Sequence, residues 1–150
     1  MGSVQKINIA SIESTPTIYT LEADLIAGRG IKGDRYFDKC SHPKENITLI
    51  EKEIIDEFCA TVKKEIDPKD FRRNVITKGI PLTNLIGKKV KIGKEVTCLI
   101  HEICEPCREL QNELQINNFV KLMVHKAGVR AEILTSGQIK LNDPIEIISE

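Results

Sequence analysis

Lys88-Lys89-Val90-Lys91-Ile92-Gly93-Lys94-Glu95-Val96-Thr97-Cys98-Leu99-Ile100-His101-Glu102-Ile103 is the stretch that decides the fold class. Apolar and polar residues alternate on both sides of Gly93-Lys94, the pattern of two half-buried strands joined by a tight turn. The same signals recur along the chain. Val4 to Ser11 alternates around Ile7 and Ile9, and Thr17 to Leu21 reads as a second strand. Gly28-Arg29-Gly30-Ile31-Lys32-Gly33-Asp34-Arg35-Tyr36 holds three glycines among basic side chains and reads as a shaped loop. Asn46 to Ile50 is strand-like and runs into a helix, with Thr48 and Glu51 as its capping box and Ile50, Ile54, Ile55 and Phe58 on one face. A strand is expected from Phe71 to Thr77 after Asp67-Pro68, and a helical turn over Pro81 to Ile86. A helix is expected over Phe119 to Lys126, stopped by Gly128. Val129 to Thr135, a Ser136-Gly137 turn and Ile139 to Ile148 close the chain with strands.

About seven short strands with two or three inserted helices do not alternate as a parallel Rossmann-like sheet would. The expected fold is therefore mostly β with inserted helices (α+β), a closed or half-closed barrel of mainly antiparallel strands. A length of 150 residues suits one domain, residues 1–150. Charge is balanced, 22 basic against 22 acidic residues, so no global field points to nucleic acid or an anionic membrane. Trp is absent and aromatic residues make up 4%, which argues against base-stacking platforms. No apolar run is long enough for a membrane helix or a signal-peptide core. The five cysteines, at 40, 59, 98, 104 and 107, are accordingly expected to be reduced thiols in a cytoplasm.

The chemistry is expected at Cys104-Glu105-Pro106-Cys107, between the strand ending at Ile103 and a helix-like run from Arg108 to Gln115. N–H groups at a helix start favour a thiolate, which can attack, carry sulfur or bind a soft metal. A thioredoxin-type dithiol wants a βαβ setting that this region lacks. Zinc is a further alternative, because Cys98, His101, Cys104 and Cys107 are evenly spaced. Cys98 and His101 would, however, leave opposite faces of one strand, and structural sites separate their ligand pairs by a longer loop. The plainest alternative is small buried hydrophobes, which suits Cys59 and Cys98 better than Cys107. Three polar groupings accompany the thiols: Arg72-Arg73-Asn74, able to clamp an oxyanion; Lys32, Asp34 and Arg35 in the glycine loop; and His125 with Arg130 around Gly128. Each has an ordinary reading as a solvated corner, turn or cap. Together they equip a small barrel to hold a polyanionic, thiol-reactive ligand.

Five motifs in order resemble the MOSC domain, named for the C-terminal domain of molybdenum cofactor sulfurases. They are Gly30-Ile31-Lys32-Gly33-Asp34-Arg35-Tyr36, Asn46-Ile47-Thr48-Leu49-Ile50-Glu51, Phe71-Arg72-Arg73-Asn74-Val75-Ile76-Thr77-Lys78-Gly79, Cys104-Glu105-Pro106-Cys107 with Leu110, and His125-Lys126-Ala127-Gly128-Val129-Arg130-Ala131-Glu132-Ile133-Leu134. The resemblance spans about Gly28 to Ile145. It implies a MOSC-like β-barrel and an essential cysteine, Cys107, as sulfur carrier or molybdenum ligand, with Cys104 as auxiliary thiol. It also implies that Lys32, Asp34, Arg35, Arg72, Arg73, Asn74, His125 and Arg130 bind the pterin and phosphate of the molybdenum cofactor. Implied partners are proteins of cofactor synthesis or acceptor proteins; some stand-alone relatives instead reduce N-hydroxylated bases with an electron-donor reductase. A small zinc-stabilised binding module is the third reading. Asn142-Asp143 stands where the family usually has Gly-Asp, a change that Asn tolerates in a left-handed turn. The chain has no room for a pyridoxal-phosphate desulfurase domain and carries no iron–sulfur module, so sulfur or electrons would come from elsewhere.

Overall fold

The computed structural model describes residues 2–12 and 15–148; the expected domain, 1–150, includes five positions outside them. Its strands are β1 (Gly2–Ile9), β2 (Ile18–Thr20), β3 (Glu22–Ile26), β4 (Gly30–Ile31), β5 (Ile47–Glu51), β6 (Val75–Lys78), β7 (Lys89–Ile92), β8 (Val96–Ile103), β9 (Val129–Thr135), β10 (Gly137–Lys140) and β11 (Pro144–Ile148). Its α-helices are α1 (Lys52–Val62), α2 (Arg108–Leu114) and α3 (Phe119–Met123). Strands pair in the order β11-β7-β8-β9-β5-β6-β1, and β1 returns to β11 through Gly2 and Ile145, closing a seven-stranded barrel. β2 continues the sheet from β1, while β10, β3 and β4 form a separate three-stranded sheet. Every pairing is antiparallel except β5 with β6.

The hairpin is β7–β8, with Lys89 opposite Leu99 and Ile92 opposite Val96. Its inward residues Val90, Ile92, Val96, Cys98 and Ile100 are fully buried in the barrel core. The strands nearest the helices are buried on both faces. Leu49 and Val75 point into the barrel, whereas Ile50 and Ile76 pack beneath the helices with Phe58, Phe71, Leu110 and Phe119. Phe58 stands edge-on to both Phe71 and Phe119, with centroids 6.0 and 5.5 Å away. This two-sided burial matches the run Ile47-Thr48-Leu49-Ile50 and the parallel pairing there.

Several boundaries differ from those read in the sequence. More strands form than the seven expected, because the span from Leu21 to Ile31 contributes β3 and β4 and the last run breaks into β10 and β11. The break falls at Asn142, whose φ is +70°, the left-handed turn expected there. Thr48 does not cap α1: the residue ahead of α1 is Glu51, without a side-chain cap bond, and the Thr48 hydroxyl bonds Asn74 instead. The strand expected from Phe71 begins only at Val75, since Pro68–Phe71 is a short 3-10 helix and Arg72 turns left-handed. α3 stops at Met123 rather than Lys126, where the backbone N–H of His125 turns to the Glu105 carboxylate, 2.7 Å away. Among the described residues no helix is long and apolar enough to cross a membrane.

Gly128 fixes how closely β9 starts against β5. Its φ is +99°, and a Cβ there would stand 2.3 Å from the Leu49 carbonyl oxygen. A neighbouring backbone atom cannot yield that distance. Gly128→Ala is therefore expected to cost about 3 kcal/mol or more and to lower Tm by roughly 6–12 °C. Gly28→Ala, which meets nothing within 4 Å despite its φ of +72°, should lose only about 1 kcal/mol of left-handed strain. Thermal unfolding of both variants checks the difference.

Candidate functional site

A cavity of ≈ 410 Å³ opens where the 3-10 turn before β6, the start of α2 and the end of the glycine loop meet. That volume suits a small-molecule site. Of the residues expected at a site, Arg35, Arg72, Arg73, Asn74, Cys107 and Arg130 line it. The arginines converge through a local backbone device. In a regular strand Arg72 and Arg73 would leave opposite faces. Here Arg72 has a φ of +63° at the end of the 3-10 helix, and this left-handed residue lets both neighbours face one cavity.

Each guanidinium is braced by main-chain carbonyls. Arg72 Nη1 donates to Thr15 O (2.6 Å) and Arg73 Nε to Ala127 O (2.6 Å). Arg35 Nη1 donates to Asp34 and Nη2 to Arg72 O (3.3 Å), while its guanidinium carbon lies 4.7 Å from the Tyr36 ring centroid. The Arg35 side chain is 5% exposed, and its Nε finds no partner among the described residues. Arg130 reaches the Glu102 carboxylate at 3.6 Å. Asn74 forms the floor, its Oδ1 accepting from Thr48 N and Oγ1 and its Nδ2 donating to Asn8 O.

Cys107 is the exposed thiol of the site and the cap of α2, accepting the Leu110 N–H at 3.4 Å. Cys104 is buried and does not line the cavity. Burial pushes its thiol above the ordinary range, opposed by the positive charges of Arg73 and Arg130. Lys32, Asp34 and His125 also stand outside the lining. Lys32 is exposed on the glycine loop. Asp34 is buried, its Oδ1 accepting from Ala10 N (3.0 Å) and Arg35 Nη1 (3.1 Å). His125 bonds Glu105 through its Nδ1 at 2.7 Å, and its backbone N–H is the main cause holding that carboxyl below the usual range.

The evenly spaced Cys98, His101, Cys104 and Cys107 do not converge. Cys98 lies in the barrel core, His101 bonds Glu132 at 2.9 Å, and among the described residues no group of three His, Cys, Asp or Glu is placed to hold a metal ion. The sequence reading missed Cys40, Thr48, Glu109 and Glu113, all of which line the cavity. Cys40 S–H donates to Tyr36 O and Glu45 O, and burial pushes its thiol up. The Glu109/Glu113 spacing, one helical turn, was the one available signal, since it puts both on one face of α2.

Two expectations follow from burial. Losing Asp34 would strand the Arg35 charge in the interior, so Asp34→Ala should lower stability by about 3–5 kcal/mol in denaturant unfolding. A raised thiol pKa leaves less thiolate at a given pH, and burial raises Cys40, Cys104 and, to about 12, Cys98. Iodoacetamide at pH 8 should therefore modify exposed Cys107 first, with Cys98 and Cys104 reacting only after denaturation. Peptide mass spectrometry as a function of time reads the order.

Comparison with known proteins agrees with this architecture. No curated protein matches the chain. The crystal structure of the YUAD protein from Bacillus subtilis superposes with a TM-score of 0.85 at 22% identity, covering 100% of this chain and 97% of that one. YiiM from Geobacillus stearothermophilus gives 0.81 at 13% identity, covering 99% and 76%. YiiM from Escherichia coli gives 0.75 at 18% identity, covering 99% and 70%. At these identities the likeness speaks for the fold. The MOSC domain family model matches residues 38–146, a span that leaves the glycine loop outside but takes in β5, β6, the arginine pair, both Cys104 and Cys107, and the Gly128 crossing. With most of its length inside that match, the chain belongs to the MOSC domain family.

Proposed function

We propose that this protein binds the molybdenum cofactor in the cavity at the start of α2 and serves as a carrier or transfer module for the cofactor or its sulfur. The observation that carries the reading is the sharing of one cavity by exposed Cys107 and the arginines Arg35, Arg72, Arg73 and Arg130. The family is associated with this cofactor. The donor set suits it chemically. A cysteine sulfur is a soft ligand for molybdenum or an acceptor for sulfur, and guanidiniums match a phosphate bidentately. Arg35 Nε, buried and unpartnered, is hydrogen-bonding capacity that the described residues do not use.

In this reading Cys107 would hold the metal or sulfur, while Arg72, Arg73 and Arg130 would take the oxyanion. When bound, the group supplies a redox-active metal and transferable sulfur, chemistry that no side chain offers. The protein's own share is binding and orientation. Carbonyls of Thr15 and Ala127 hold two guanidiniums in fixed directions, so less side-chain entropy is lost when an anion binds. Asn74 and Thr48 keep the floor rigid, and buried Cys104, three residues before Cys107, would serve as an auxiliary thiol. Cofactor-synthesis or acceptor proteins would be the partners of such a carrier, and a cytoplasm its setting.

Incubation of wild type and Cys107→Ser with cofactor released from a molybdoenzyme tests the proposal, with molybdenum by elemental analysis and oxidised pterin by fluorescence. Wild type should retain both and the variant should lose molybdenum at least tenfold. Equal retention by the two proteins, or none by either, would remove Cys107 from the role.

A further inference from the structure

Four arginines, Arg35, Arg72, Arg73 and Arg130, share the cavity with three carboxylates. Glu45 already accepts from the Ser41 N–H and hydroxyl. The other two, Glu109 and Glu113, come from α2. Among the described residues neither carboxylate enters an ion pair, although arginines line the cavity with them. Two like charges one turn apart on a helix repel each other, and neither is paired with a specific cation. An independent sign of a ligand in this cavity is Arg35, which lines it with a side chain 5% exposed and an unpartnered Nε.

A ligand for this wall must offer an oxyanion at one end and N–H donors at the other. Carboxylates accept only, and two oxygens side by side match two adjacent N–H groups. A 2-amino-4-oxo pyrimidine ring, the edge shared by pterins and guanine, presents that pair in its amino group and ring N–H. Six residues of helix from Cys107 to Glu113 rise about 9 Å, the scale of a fused bicyclic heterocycle. We propose that Glu109 and Glu113 read the amino-pyrimidinone edge of a pterin, which orients it with the heterocycle along α2 and the oxyanion on the arginines. This inference rests on the cofactor reading above and assigns two residues of the site that the reading leaves without a role.

The test uses the full chain and its E109Q/E113Q double variant, with 6-hydroxymethylpterin (which carries no phosphate) and inorganic phosphate as separate probes. Charge-assisted hydrogen bonds of this kind account for tenfold or more in affinity, so the variant should bind the pterin at least about tenfold more weakly. Phosphate binding should hold or tighten, because two negative charges leave the neighbourhood of the arginines. Lumazine, with a carbonyl in place of the 2-amino group, should bind wild type more weakly and lose nothing in the variant. Unchanged pterin affinity, or parallel weakening of pterin and phosphate, would overturn the assignment. Guanosine, which shares that edge and likewise carries no phosphate, displacing the pterin at equal concentration would overturn the pterin in favour of a guanine ligand. Molybdenum retention in the Cys107 experiment is read separately, so that result can fail while the pterin discrimination stands, and the reverse.

Discussion

The buried amide of Asn74 is the interaction on which the site's geometry depends. Its Oδ1 accepts from the Thr48 backbone and hydroxyl, its backbone N–H donates to that hydroxyl, and its Nδ2 and carbonyl exchange bonds with the Asn8 backbone. One residue thus ties β1, β5 and β6 together where β5 and β6 run parallel. In a low-dielectric interior an amide with nearly all its partners is stiff, and any partner left alone would carry a desolvation penalty. Asn8 reaches one residue further and holds the Arg73 carbonyl. The chain entering Asn74 is therefore fixed, and the two arginines before it project from a rigid base.

Around that base the fold separates structural from reactive groups by burial. Cys98 and Cys104 are buried and their thiols pushed up; Cys107, a few residues on, is exposed at the start of α2. Asp34 and Arg35 divide in the same way. The carboxylate is used up inside, on Arg35 and the Ala10 N–H, whereas the guanidinium also meets the cavity. A buried pair of this kind is a modest source of stability but a strong constraint on position, since neither charge can move without exposing the other to an apolar interior. Gly128 closes the arrangement from the far side. Its missing side chain admits the Leu49 carbonyl, and its own carbonyl takes the Cys104 N–H, which sets the strand end that leads to the thiols.

Much of this was legible from alternation alone. The β7–β8 hairpin, β9 and the mainly antiparallel barrel all follow from a period of two interrupted by turn residues, and the helix-like run after Cys107 forms α2. The misses share a cause. Thr48 carries the local pattern of a helix cap, yet its hydroxyl is claimed by Asn74, 26 residues away. The run from Phe71 has strand-like composition, but Phe71 belongs to the aromatic cluster under the helices, and reaching it demands a 3-10 turn and a left-handed Arg72. α3 stops early because Glu105, 20 residues back, takes the His125 N–H. A local window cannot weigh a partner that lies beyond it.

The sequence by itself determined the class of fold, the thiol pair at the strand-to-helix junction and the inventory of cations, because periodicity and residue chemistry are local properties. Only the tertiary structure decided which of those groups share a cavity. It gathered Arg35, Arg72, Arg73, Asn74, Arg130 and Cys107, left Lys32, Asp34 and His125 out of the lining, and added Cys40, Glu109 and Glu113. The physical reason is that convergence depends on strand register, on barrel closure through β1 and β11, and on one left-handed residue at Arg72. Each of these is set by long-range packing and hydrogen bonding, which no short stretch of sequence contains.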